Sequence, residues 1–411
     1  MKKRERYHGW NIAWALAVTQ TVSFGILFYA YSVFTIPMET EFGWTRAQTS
    51  GAFSLALFLS GVFAFPIGRW VDLRGARLPM SAGSVLASVL VFAWSYIDSL
   101  VGLYVVQALI GLAMGAILYD VAFTVIARWF LRHRIQAMLI VTSVAGLAST
   151  IFIPLTTVLV EWAGWQDALR ILAVILAVTT VPLHALVVRD RPAAAGGDSG
   201  SSDGEEAESH VPTHGALRSL LFWRLTAGFS FDRIVTVALA AHSVPLLLER
   251  GHSAGLVAAA TGSIGLLQVV GRLLFGPGAR YLSLPQLTSL TFAVRVASLL
   301  VLAALPGVLG VWAFAVLFGL SNGATTLARA GIVGAAFGSR NYGAINGGMS
   351  TVIAVAQTVA PLSVGALRVA FGGYTVALVA LGVIALLSLL SVGGMQLPAA
   401  RAQAEAGRVT P

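Results

Sequence analysis

Charged side chains are rare inside the apolar runs of this 411-residue chain, and the few present define its possible chemistry. Arg272 ends the run Gln268-Val269-Val270-Gly271-Arg272, and Arg233 directly follows Asp232. A guanidinium shielded from water makes a bidentate bond to a carboxylate. The plainer alternative is a side chain that buries its stem and sends its head to the interface. Asp120, beside Tyr119, lies eight residues before Arg128, a depth of about 12 Å at 1.5 Å per residue. A carboxylate at such depth, like Asp232, pairs with a cation or carries a proton. His242 has an unperturbed pKa near neutrality, although a lone histidine in an apolar run is more often a hydrogen-bonded packing residue. Tyr29, Asn322 and Gln268 offer polar contacts to a solute, with Tyr31 and Gln357 behind them.

These residues need apolar elements to hold them. The chain is 57% hydrophobic and 10% charged, whereas a soluble domain carries about a quarter charged residues. A bilayer core of about 30 Å takes about 20 apolar residues per helix. Such runs occur over 10–36, 49–71, 78–97, 100–127, 137–160 and 168–188, and again over 225–248, 254–279, 284–304, 308–330, 344–368 and 373–396. Their unbroken apolarity predicts helices rather than the alternating strands of a barrel. The expected fold is all-α, with twelve transmembrane helices in two six-helix bundles. The basic start, Lys2-Lys3-Arg4, resembles a signal peptide, but the apolar run behind it is too long for one and reads as an uncleaved first span. Nineteen of the 26 Lys and Arg fall on one side of such a layout, against Arg46, Arg170, Arg250 and Arg368 on the other. That bias predicts both termini in the cytoplasm and a location in the plasma (inner) membrane.

The two halves repeat. Phe130 and Ala137 match Phe337 and Ala344 at an offset of 207; Gly68 matches Gly276 at 208; Gly164-Trp165 matches Gly373-Tyr374 at 209. Residues 1–190 and 220–411 therefore read as related bundles. Between them, 191–219 holds a Gly/Ser/Ala-rich stretch and the acidic Glu205-Glu206-Ala207-Glu208, a composition suited to a flexible cytoplasmic linker. Duplicated six-helix halves with a solute site between them are a transporter architecture.

The segment Gly68-Arg69-Trp70-Val71-Asp72-Leu73-Arg74-Gly75-Ala76-Arg77 resembles the second–third loop motif of the major facilitator superfamily, G-x-x-x-D-x-x-G-x-R. The resemblance implies a conformational latch made by Gly68, Asp72, Arg74, Gly75 and Arg77. In it Asp72 pairs with arginines and caps a neighbouring helix. Ordinary cytoplasmic anchoring by the arginines is the alternative. The second copy departs from the motif, with Arg280 at the Asp position. Arg128-Trp129-Phe130-Leu131-Arg132-His133-Arg134, His8-Gly9-Trp10 and the Gln268–Arg272 segment are similar to the monocarboxylate and oxalate/formate type members. There the arginine matching Arg272 binds the substrate carboxylate, while Gln268 replaces an acidic residue found in some relatives. The family fold sets helices one, four, seven and ten around the cavity. Asp120 could then pair with Arg233 across the halves; the alternatives are a static pair or a local Asp232–Arg233 arrangement. The same fold puts Arg295, on helix nine, at the periphery, where snorkelling or packing is its expected role. Gly111, Gly115, Gly347 and Gly348 are expected to serve close helix packing.

Cysteine is absent, which removes disulfides, thiolate metal sites and a Cys nucleophile. No Gly-rich loop ending in Lys-Ser/Thr is present to bind ATP, and no His-Glu-x-x-His supports an intramembrane protease. No enzyme activity, catalytic residue, metal, cofactor or nucleic acid is expected. The expected function is alternating-access transport of a small, monocarboxylate-like anion by a monomer, by exchange or with proton coupling through Asp120, Asp232 or His242. Its substrate contacts would be Arg272, Arg233, Tyr29, Tyr119, Asn322 and Gln268. Efflux of a hydrophobic or drug-like compound is the alternative within transport, and a non-transporting membrane ligand sensor is the alternative outside it.

Overall fold

The computed structural model describes residues 2–130, 133–189 and 212–395. Arg132, the tail beyond 395 and most of the expected linker fall outside these; of 191–219 only 212–219 is described, with the short helix Thr213–Arg218. Regular structure among the described residues is entirely helical.

Eleven helical stretches are long and apolar enough to cross a membrane. In the first half they are α1 (His8–Phe42), α2 (Ala47–Arg74), α3 (Arg77–Trp94), α4 (Leu100–Trp129) and Arg134–Val187. The last has 54 residues, about 81 Å at 1.5 Å per residue against a hydrocarbon layer of about 30 Å. Gly164 divides it, with φ 80° and ψ 165°, a backbone conformation that favours glycine. The stretch is therefore two passes, α5 (134–163) and α6 (165–187). The second half holds α7 (Leu220–Glu249), α8 (Ala254–Gly278), α9 (Leu284–Ala304), α10 (Gly307–Phe337), α11 (Tyr342–Phe371) and α12 (Thr375–Val392). Among the described residues the passes number twelve, as the apolar runs predict.

Polar residues just outside the apolar runs start several helices. Gln48 Oε1 accepts from the Thr45 backbone N–H at 2.9 Å, closing a capping box at the head of α2. Ser99, Ser219 and Ser253 accept from the first-turn N–H groups of α4, α7 and α8.

By its contacts the chain divides into two compact units. One contains the described residues of Met1–Glu208 together with Ser339–Thr351; the other contains those of Ser209–Gly338 and Val352–Pro411. The first ten residues of α11 thus group with the first half of the chain. Inside each unit the repeat is visible in packing. Gly115 on α4 lies so close to α2 that a Cβ would fall 3.0 Å from the Ser60 carbonyl oxygen, and a Cβ on Gly323 of α10 would fall 1.9 Å from that of Gln268 on α8. Both members of this contact are related by an offset of 208, as are Gly111 and Gly319, and Pro37 and Pro245.

One feature has no sequence warning. α4 is interrupted at Leu118, whose backbone is extended (φ −84°, ψ −167°). The break exposes the Ile117 carbonyl, and Gln20 Nε2 of α1 donates to it at 2.6 Å. A buried orphan carbonyl is costly, so this side chain closes the gap that the break opens.

Candidate functional site

In the first unit, Asp72 ends the α2 span and is nearly inaccessible, its side chain 4% exposed. Oδ1 accepts from the Gly343 N–H at 3.1 Å and Oδ2 from the Ala344 N–H at 2.6 Å, both in the first turn of α11. A carboxylate there satisfies orphan donors and meets the positive end of the helix dipole. Arg128, at the end of α4, donates to Asp72 Oδ1 at 3.1 Å and to the backbone oxygens of Val71 and Asp72. Of the expected latch arginines, Arg74 lies over the Trp70 ring, 4.8 Å from its centroid, and Arg77 Nε donates to the Ala185 carbonyl. Gly68 backs directly onto Gly343: a Cβ on it would fall 2.1 Å from the Gly343 oxygen. Gly75 turns the chain out of α2 with φ 89°.

Deeper in the same unit, Asp120 opens the segment of α4 after the break. Its Oδ1 accepts from Asn346 Nδ2 at 2.8 Å and Ser350 Oγ at 2.9 Å, both on α11. Tyr119 stacks on Phe123 with centroids 5.0 Å apart and meets Phe24 at 4.5 Å. Tyr29 ends a π-helical turn of α1, edge-on to Phe28. Tyr31 is buried, donates to the Thr49 carbonyl at 2.6 Å and stacks on Phe53. His184, absent from the sequence candidates, is fully buried on α6. Its Nε2 lies 3.0 Å from Thr19 Oγ1 and its Nδ1 2.7 Å from Ser84 Oγ.

In the second unit the position of Arg295 corrects the sequence reading. It is not peripheral: its exposure is 0%, and Nε donates to Asp232 Oδ1 at 3.0 Å. Nη1 donates to the Phe318 carbonyl, Nη2 to Asn322 Oδ1, and the guanidinium lies 4.6 Å from the Phe318 ring centroid. The reason is desolvation: a charge in the interior is tolerable only when paired and hydrogen-bonded, and Asp232 on α7 supplies the pairing. Sequence offered only a distant aspartate, 63 residues away. Asn322, with its oxygen turned to Arg295, has its amide N–H groups directed elsewhere.

Arg233, next to Asp232, donates from Nε to Gln357 Oε1 at 2.7 Å. Arg272 is 8% exposed on α8. Its neighbour Gly271 sits against α10, where a Cβ would fall 2.1 Å from the Leu320 oxygen. That backbone contact, with the Gln268–Gly323 contact one turn away, fixes α8 beside the α10 turn that carries Asn322. His242 has both ring nitrogens engaged: Nε2 with the Pro361 carbonyl at 3.0 Å and Nδ1 with Tyr374 Oη at 3.2 Å. A carbonyl only accepts, so Nε2 is the donor to Pro361. Burial pushes the Tyr374 hydroxyl above the ordinary tyrosine value.

The family model described as Major Facilitator Superfamily matches residues 16–318. The chain is 27% identical over 308 residues to the "Uncharacterized MFS-type transporter YcxA" of Bacillus subtilis (strain 168), covering 71% of this chain and 72% of the relative. It is 24% identical over 324 residues to the oxalate:formate antiporter of Oxalobacter formigenes, covering 77% and 75%. Among solved structures, the crystal structure of the transporter FucP in the outward conformation superposes with a TM-score of 0.71 at 13% identity, covering 93% of this chain and 98% of that one.

Proposed function

Because the chain belongs to the major facilitator superfamily, and is thus a multi-pass membrane transporter of a small-molecule substrate, we propose that its cargo is a small organic anion of the monocarboxylate class. The observation that carries this reading is Arg272, a guanidinium inside an apolar span, seated by backbone contact between α8 and α10 beside the turn of Asn322. Arg233, held by Gln357, is a second candidate cation in the same unit. A planar fork of donors matches a carboxylate, and the Asn322 amide adds a neutral donor. Oxalate and formate, named for one relative, belong to this chemical class.

Transport proceeds by alternating access between the halves. Anion exchange, which needs no titrating group, fits the polar contacts best. Asp232 is paired with Arg295, and His242 is engaged at both nitrogens. Gly68, Asp72, Arg74, Gly75 and Arg77 serve as the latch, with the Asp72 bonds to the first turn of α11 as its support. Charge sorting supports cytoplasmic termini and a plasma-membrane location. The unit of function is a monomer.

The test is reconstitution into liposomes and uptake of labelled small carboxylates, with and without internal anion and with and without a pH gradient. The expected result is uptake that requires internal anion, ignores the pH gradient and is abolished by Arg272→Ala in protein that still folds. Undiminished uptake by that variant removes Arg272 from the site. Uptake driven by the pH gradient alone replaces exchange with proton symport.

A further inference from the structure

The first ten residues of α11 are held on two adjacent faces. One face is a stripe of small residues laid on α2. Gly343 meets Gly68; a Cβ on Gly347 would fall 2.2 Å from the Ala64 oxygen; and Thr351 Oγ1 donates to the Gly61 carbonyl at 2.8 Å. The paired numbers rise on α11 as they fall on α2, so the helices run antiparallel along a seam. No side chain bulk separates the backbones there. Asp72 closes one end of this seam through the Gly343 and Ala344 N–H groups.

The second face carries Asn346 and Ser350, four residues apart and therefore one above the other on the helix. Asn346 is 1% exposed and Ser350 6% exposed. Both donate to the same atom, Asp120 Oδ1. Amide and hydroxyl donors to a carboxylate form charge-assisted bonds, stronger than neutral ones. Asp120 reaches this position because α4 breaks at Leu118 and restarts with it in the first turn.

We propose that Asp120 is a positioning residue: a second clasp that holds α11 against the first unit and must release it during transport. It acts through Asn346 and Ser350. The Asp72 clasp grips the backbone at the end of the helix; the Asp120 clasp grips side chains one to two turns deeper. The proposal rests on the alternating-access reading, since only a moving helix needs a releasable grip.

The chain has no cysteine, so a single introduced thiol reports on the seam. Ala64, 2% exposed on α2, is replaced by Ala64→Cys in the full-length protein. Its reaction with N-ethylmaleimide then measures how often the seam opens. Asp120→Asn keeps an acceptor oxygen but loses the charge, so labelling is expected to rise by about threefold, clearly less than in the alanine variants. Asp120→Ala, and Asn346→Ala with Ser350→Ala, are each expected to speed labelling about tenfold or more, and all three together no further. Should Asp120→Ala fail to fold, Ser350→Ala alone carries the test, with an expected increase of about threefold. Asp120→Asn labelling as fast as the alanine variants, or multiplicative effects of the two sides, overturns the clasp. Labelling needs no substrate: absence of carboxylate uptake with this pattern intact sinks the anion reading and leaves the clasp standing.

Discussion

In the first half of the chain, a fully buried polar contact is made by His184, held between Thr19 and Ser84. In the second half an ion pair, Asp232 with Arg295, is buried with Asn322. The repeat offset of 208 sets Asp232, Arg295 and Asn322 against Phe24, Ala87 and Met114 of the first half. The same three places in one duplicated bundle are thus filled by two charges and an amide in one copy and by apolar side chains in the other. The scaffold does not require the charges. Their retention in a layer where ions are costly fits a task that only the second half performs, which is where Arg272 and Arg233 also lie.

The largest test of that contrast is to break the pair. Arg295→Leu should leave a buried carboxylate without its counter-ion and cost about 3–5 kcal/mol of stability. Asp232→Leu with Arg295→Leu, which makes this half resemble the other, should cost less than either single change. Thermal unfolding in detergent reads both; a double variant as unstable as the sum would show that the residues act separately. The glycine contacts give a smaller contrast. Gly323→Ala drives a methyl into the Gln268 oxygen at 1.9 Å, whereas Gly115→Ala meets Ser60 at 3.0 Å. The first should cost about 1–3 kcal/mol and the second less than about 1 kcal/mol. Equal losses would mean that the repeat is packed alike in both copies. Smallest is Thr19→Val. Thr19 Oγ1 lies 3.0 Å from His184 Nε2; its loss should cost about 0.5–1.5 kcal/mol. A penalty larger than that of Arg295→Leu would reverse the ranking of the two halves.

Span number and fold family were legible because apolar length and the Gly68–Arg77 motif are local properties. Asp72 was legible for the same reason: it stands in a short motif at a helix end. Arg295 was misread because its environment depends on a partner 63 residues away, and no local pattern reports that. Asn346 and Ser350 were missed although their i, i+4 spacing in an apolar span was available as a signal. Only the fold brings them to Asp120. His184 was overlooked because it stands near the end of an apolar run, where a histidine ordinarily reaches water.

The interruption at Leu118 bears on how the two copies diverged. Gly115 and Gly323 are related by 208, but Phe130 and Phe337 by 207, so between those landmarks the first copy has one residue more. α10 runs unbroken through the corresponding stretch, while α4 breaks. A single inserted residue turns everything beyond it by about 100° around a helix axis. One residue more, absorbed at Leu118 and sealed by Gln20, is enough to swing a whole helical segment to a new bearing. It gives Asp120 an outlook that its counterpart in the second copy, Ala328 or Leu327 depending on register, does not have.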